Sequence, residues 1–259
     1  MKAIIVAAGR GRRLGVETDA IPKCMVKVAG RAILHRQLDA LCAAGVDDVV
    51  VVRGYRGDLI AAPPNGPPLR FVENPDWAEN NILTSLFFAE SEMRDGFLFS
   101  YSDIVFAPEH ARALAEATGP VTLVVDRRWR EAYEGRILHP VSEAELARVE
   151  GSGAAAAVTC VGKRLVSADD AAGEFIGLAR FSPEGAATLG AVWHDALAQG
   201  RGAPFGAAAS LNQAYLSDGL NALPARGVTL RPLFIDGRWR EIDTEEDLAR
   251  AEKAIPTWT

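Results

Sequence analysis

Ala3-Ile4-Ile5-Val6-Ala7-Ala8-Gly9-Arg10-Gly11-Arg12-Arg13-Leu14, followed after a short gap by Pro22-Lys23-Cys24, is the stretch that decides how this 259-residue chain is read. Residues 3–6 form a continuous apolar run, the pattern of a strand covered on both faces. Gly9, Gly11 and Gly15 break that run into a loop. A glycine-rich turn after a strand and ahead of a helix turns main-chain N–H groups toward an anion. Arg10, Arg12, Arg13 and Lys23 add cations, which suits several phosphates better than one carboxylate. Two common phosphate loops are excluded. No Gly-Lys-Ser/Thr closes the turn, and Leu14 stands where a dinucleotide fingerprint needs its third glycine. For the glycines alone, the competing reading is a surface loop with solvated arginines.

Outward from this segment, strand and helix patterns alternate. Helical spacing joins Ile33, Leu34, Gln37, Leu38, Leu41 and Cys42, with Gly45 as a C-terminal stop. Strands are expected at residues 48–52, 69–72, 97–101 and 121–125. Helices are expected from Ile82, capped by Asn80 or Asn81, and at residues 109–117. The implied fold class is α/β, a Rossmann-like arrangement with a mixed, mostly parallel central sheet flanked by helices. The second half is less regular. It is expected to hold a helix-like acidic segment at 142–150, a turn at 151–157 leading into a strand through Cys160, and a strand at 174–181. Ala-rich helices at 183–197 and 207–223 and short strands at 228–235 and 239–242 follow, then a final helix capped by Thr244. Without an internal repeat or linker, one domain over 1–259 is expected, with a regular half over 1–125 and an elaborated half over 126–259.

Composition narrows the function. The chain is 49% hydrophobic and 24% charged, which argues against disorder. Residues 1–36 carry eight Lys/Arg against two acids, a net of +6; the whole chain is −6, so the remainder carries −12. An acidic protein with one basic segment is a poor nucleic-acid binder and a good holder of a small polyanion. Three separated cysteines give neither a disulfide framework nor a metal knuckle. No run reaches the ~18 apolar residues of a membrane span, and the first residues lack a secretory pattern, so a cytoplasmic setting without membrane partners is expected.

Chemistry on a chain of phosphates usually needs Mg²⁺ held by one or two carboxylates. Asp103 and Asp243 each follow a predicted strand, where ligands gather in open α/β sheets. Each would otherwise be an ordinary turn or cap residue.

The loop and Pro22-Lys23 together resemble the AGxGxRL…PK signature of nucleotidyltransferases acting on sugar phosphates and related phosphates. The resemblance implies that Ala7, Ala8, Gly9, Gly11, Arg12 and Arg13 wrap a nucleoside triphosphate. It also implies that Arg13 and Lys23 are catalytic cations, and that Tyr101-Ser102-Asp103 and Glu241-Ile242-Asp243 carry the metal carboxylates Asp103 and Asp243. Asn80-Asn81-Ile82-Leu83-Thr84-Ser85-Leu86 and the segment 239–248 are similar to a phosphocholine cytidylyltransferase-like branch, which includes enzymes activating aminoalkylphosphonates. That branch implies CTP as donor, Asn81 and Ser85 as nucleotide-binding residues, and a small phosphate or phosphonate acceptor. Acceptor candidates are Asp126, Trp129, Tyr133, Arg136, Lys163, Glu174 and Glu241; Trp77, Trp129, Tyr133 and Trp239 are candidates for an aromatic ammonium cage. The alternatives are a sugar-1-phosphate uridylyl-, thymidylyl- or guanylyltransferase, and a non-catalytic nucleotide-binding subunit of the same fold. Pairing into a homodimer is left open.

Overall fold

The computed structural model describes residues 1–258. β1 (Lys2–Ala7) runs into the glycine loop, which continues as a kinked 3₁₀ turn over Arg12–Thr18. A small hairpin comes next, β2 (Lys27–Val28) and β3 (Arg31–Ala32), and then α1 (Ile33–Ala43), β4 (Asp48–Arg53) and β5 (Leu69–Glu73). α2 (Ile82–Phe87), β6 (Phe97–Tyr101), β7 (Ile104–Phe106), α3 (Pro108–Glu116) and β8 (Val121–Asp126) complete the regular half. Beyond it come α4 (Trp129–Tyr133), β9 (Glu145–Glu150), β10 (Ala157–Lys163), β11 (Gly173–Phe181), α5 (Pro183–Ala198), α6 (Leu216–Ala222), β12 (Leu230–Ile235), β13 (Trp239–Glu241) and α7 (Glu245–Ala254). No helix among the described residues is long and apolar enough to cross a membrane.

Nine strands form the central sheet. β5, β4, β1 and β6 lie side by side in parallel. β11 then runs antiparallel to β6, β8 and β9, β10 is antiparallel to β9, and β12 is parallel to β8. Successive residues of β1 and β4 feed opposite cores, because side chains alternate faces along a strand. Ile4, Val6, Val50 and Val52 pack with α2, α5 and α6 residues. Ala3, Ile5, Val49 and Val51 pack with α1 and α3 residues. Cover on both faces is why these strands read as unbroken apolar runs.

Two features away from the main sheet bring distant segments of the chain together. β7 and β13 form an antiparallel ribbon, with Ile104 opposite Glu241 and Phe106 opposite Trp239. Ile242 N–H extends the pairing to Asp103 C=O at 2.8 Å. Against the ribbon, Leu14 from the glycine loop packs with Val26, Ile33, Val105, Ile242 and Ala251. Thus the loop, the ribbon and α7 share one small core.

The second half departs from expectation in two places. Residues 142–150 are not helical: a 3₁₀ turn over Val141–Glu143 leads into β9. Pairing with β10 and β11 on its two sides overrides the local helical preference. Within 207–223 only α6 is α-helical. The Asp218 carboxylate accepts from Ala207 N (2.8 Å) and Tyr215 N (2.9 Å), so it folds the preceding chain back and starts the helix late.

β11 changes partner along its length, from β9 at Gly173–Glu174 to β6 at Leu178–Phe181. Gly177 sits at the change with φ +81°, and a Cβ there would come within 2.2 Å of the Tyr101 ring. Both the backbone and the ring demand glycine. Gly177→Ala should therefore destabilise the protein by roughly 2–4 kcal/mol, combining left-handed strain with overpacking. A denaturant midpoint within error of wild type would refute this.

Candidate active site

The glycine loop brings its basic residues to the carboxyl end of the parallel strands. Gly11 adopts φ +69°, and a Cβ there would lie 2.8–3.0 Å from the Lys23 side-chain carbons. Lys23 can therefore lie flat across the loop. Thr18 Oγ1 secures the loop by donating to Gly11 C=O at 3.1 Å. Pro22 leads into a 3₁₀ turn over Lys23–Met25, anchored by Cys24 in the α1-side core. Lys23 is only 7% exposed, and its ammonium lies 2.7 Å from Asp103 Oδ2 and also donates to Asp243 Oδ1. Arg13, with its side chain about half-exposed, donates to Asp243 Oδ2 and reaches within 3.8 Å of Glu143. Burial disfavours the Lys23 charge, but the two aspartates outweigh it and hold the amine protonated beyond its usual range. Burial likewise opposes ionisation of Asp243; Lys23 and Arg13 overcome it and pull the carboxyl down to about 2.

Asp243 is held by the start of α7. Thr244 Oγ1 accepts from Asp247 N at 3.2 Å, and Asp247 Oδ2 accepts from Thr244 N (2.9 Å) and Asp243 N (3.1 Å). This reciprocal cap fixes the turn. Arg136 donates to Asp247 Oδ1 at 2.6 Å and, through Nη2, to His139 Nδ1 at 2.8 Å. His139 is fully buried, 3.4 Å from Glu241 and 3.7 Å from Asp243. Ligand atoms of His139, Glu241 and Asp243 lie within 4.8 Å of one another. Arginine can only donate, however, so Nδ1 accepts and the proton of a neutral ring sits on Nε2. That ring offers no lone pair to an ion, and its Nε2 lies buried 3.4 Å from Glu241 Oε2 without a hydrogen-bond partner.

Arg13, Asp103, Glu241 and Asp243 border a cleft of about 210 Å³. Six carboxyls line it (Asp103, Glu143, Glu145, Glu174, Glu241 and Asp243), against the cations Arg13 and Lys163. Three of the acids are pushed toward neutrality. Burial raises Glu241 to about 7, reinforced by the Asp243 charge. Burial raises Glu174 to about 8, reinforced by Glu241, although Tyr133 donates to its Oε1 at 2.6 Å. Burial lifts Glu145 to about 7 against the pull of Lys163 and the Tyr101 hydroxyl. Asp103 Oδ1 is buried without a hydrogen-bond partner. An orphaned carboxylate oxygen beside a second aspartate is an all-oxygen donor set, the chemistry that suits Mg²⁺.

Of the expected residues, Arg13, Asp103, Asp243, Glu241, Glu174, Lys163 and Asn81 line this cleft, while Lys23 is buried against Asp103 and Asp243 and does not line it. Ala7 and Ala8 are buried at the end of β1, with Ala8 C=O held by Tyr55 N; Gly9 and Arg12 are exposed on the loop. Asn81 caps α2 through Ile82 N and donates to Gln213 C=O. Other expected residues are consumed by internal bonds and do not line the cleft. The buried Ser85 hydroxyl accepts from Asn74 and donates to Asn80. Asp126 takes Trp239 Nε1 (2.7 Å), Gly237 N and Arg128 N. Trp129 and Tyr133 belong to a separate apolar cluster with Leu146 and Val166. Arg136 Nε and Nη2 are engaged by Asp247 and His139, and the residue does not line the cleft. Of the four proposed cage aromatics only Trp239 reaches the cleft, while Trp77 packs edge-on to Tyr55. Sequence reasoning missed Glu143 and Glu145, neither of which stands in a motif; Asp247 falls in the 239–248 segment and His139 beside the arginine-rich stretch ending at Arg136, yet neither signals its part in holding Asp243.

Glu145 generates a pH test. Its folded-state value of about 7 lies above the usual 4.5, so the folded protein holds an extra proton between those values. That stabilisation is complete in acid and is lost as pH rises through about 7. Glu145→Gln removes the loss. Its stability relative to wild type should rise between pH 5 and pH 8, by as much as about 3 kcal/mol. Parallel stability–pH curves for the two proteins would contradict this.

A family model described as the MobA-like NTP transferase domain matches residues 3–172, which include the glycine loop, Lys23 and Asp103. The chain is 28% identical over 259 residues to CTP:phosphoglutamine cytidylyltransferase of Campylobacter jejuni, covering 96% of this chain and 98% of that one. Over 110 residues, 42% of this chain and 45% of the other, it is 33% identical to 2-aminoethylphosphonate cytidylyltransferase of Lancefieldella rimae. Among solved structures, CTP:phosphocholine cytidylyltransferase of Streptococcus pneumoniae shares the fold, with a TM-score of 0.72 and 19% identity across 97% of both chains. With more than half of its length matched by the family model, the chain belongs to the MobA-like NTP transferase family.

Proposed function

We propose that the protein transfers a nucleotidyl group, CMP from CTP, to a small phosphate or phosphonate monoester in a reaction dependent on Mg²⁺. The observation that carries this reading is the meeting of the glycine loop, Lys23, Asp103 and Asp243 at one end of the sheet. The similarity to cytidylyltransferases with phosphate and phosphonate acceptors supports the choice of donor and acceptor.

An acceptor oxyanion attacks the α-phosphorus, the bond from that phosphorus to the bridging oxygen breaks, and pyrophosphate leaves. The attacking oxygen is already anionic, so no protein base is needed. Arg13 and Lys23 would neutralise the phosphates and the charge that builds on the leaving group. Asp103 and Asp243 would hold Mg²⁺, which supplies further charge neutralisation when bound. Lys163, Glu174 and Glu241 remain as the acceptor-side groups that face the cleft. Glu174 Oε2 is buried and without a partner, ready to meet a donor on the acceptor. One single-domain chain acting in the cytoplasm, with no nucleic-acid partner, completes the proposal.

Pyrophosphate release should be measured with Mg²⁺, each nucleoside triphosphate, and phosphocholine, 2-aminoethylphosphonate or a hexose 1-phosphate as acceptor. Release with CTP and a phosphate or phosphonate monoester is expected. A preference for a hexose 1-phosphate with UTP, dTTP or GTP would move the protein to the sugar branch; no release with any pair would sink the reading. Asp103→Asn and Asp243→Asn should each lower turnover at least about a hundredfold with folding intact. A few-fold effect would remove that residue from the mechanism.

A further inference from the structure

Lys23 stands in the way of the carboxylates it serves. Its ammonium takes Asp103 Oδ2 at 2.7 Å and Asp243 Oδ1, and Arg13 takes Asp243 Oδ2. Of the four oxygens in this pair of aspartates, only Asp103 Oδ1 has no hydrogen-bond partner. Both carboxylates are thus already neutralised by protein cations. A divalent ion arriving alone would meet an ammonium at the same oxygens and be repelled by it. An ammonium leaving alone would strand two largely buried acids, which is also costly. Exchange of one cation for the other avoids both penalties.

Resting on the transfer reaction proposed above, we infer that Lys23 is an exchangeable counter-ion, closing the two aspartates to a divalent ion until a nucleoside triphosphate draws its ammonium away. Nucleotide and metal then bind as a linked pair. The side chain is suited to the exchange. Lysine carries a compact charge on a flexible stem, and that stem lies along Gly11, where no Cβ obstructs it. Arg13, about half-exposed and also near Glu143, can make the same move toward a polyanion. Linkage is reciprocal, so metal should strengthen nucleotide binding by the same factor that nucleotide strengthens metal binding.

The test uses Mn²⁺ as the metal probe, with free Mn²⁺ read by electron paramagnetic resonance, on wild type and on Lys23→Met. Methionine keeps most of the stem and removes the charge. Without nucleotide, Lys23→Met should bind Mn²⁺ more tightly than wild type, on the order of tenfold. The added gain from CTP should be smaller in the variant. If Lys23→Met shows a lost circular-dichroism signature, Lys23→Gln serves with the same expectation. Unchanged or weaker Mn²⁺ binding in a folded variant overturns the counter-ion role. Failure of wild type to bind CTP with or without metal overturns the transfer reaction itself, so the two ideas fail separately.

Discussion

A lysine buried between two aspartates is the interaction around which this molecule is arranged. Lys23 pairs with Asp103, 80 residues away, and with Asp243, 220 residues away. Removing three charges from water is expensive, and mutual attraction offsets the cost only when geometry is closely held. The surrounding structure supplies that hold. Gly11 leaves room for the lysine stem, Cys24 anchors its turn, and the β7–β13 ribbon brings the two aspartates alongside each other. The cap at the start of α7 then fixes Asp243 through Asp247, which Arg136 secures in turn.

The acid-rich cleft has a consistent electrostatic logic. Its six carboxyls do not carry equal charge. Asp243 is pulled down by cations and stays ionised, whereas burial lifts Glu145, Glu174 and Glu241 toward neutrality. A neutral carboxyl can donate as well as accept a hydrogen bond. The cleft therefore holds a small charged end, near the loop and Lys23, beside a region of polar groups with reduced charge. A polyanion and a compact polar molecule can share it without facing six negative charges.

What the sequence determined was carried by local pattern. Residues of β1, β4, β6 and β8 read as strands because cover on both faces makes each of them predominantly apolar. The glycine loop with Pro22-Lys23, and the placement of Asp103 and Asp243 after strands, were legible for the same reason: each is a short motif with its own backbone meaning. The kinked 3₁₀ turn over Arg12–Thr18, and the strand at Glu145–Glu150, were not.

Tertiary structure alone decided which polar side chains are available. Asp126, Arg136 and Ser85 carry chemistry that looks suited to a ligand, yet each is engaged by partners from distant or neighbouring segments and none lines the cleft. His139, Glu145 and Asp247 join the site only because α7, β9 and the 134–144 segment fold against the ribbon. A sequence displays every donor and acceptor but not their pairing, and buried polar groups are satisfied across chain distances that no local pattern encodes.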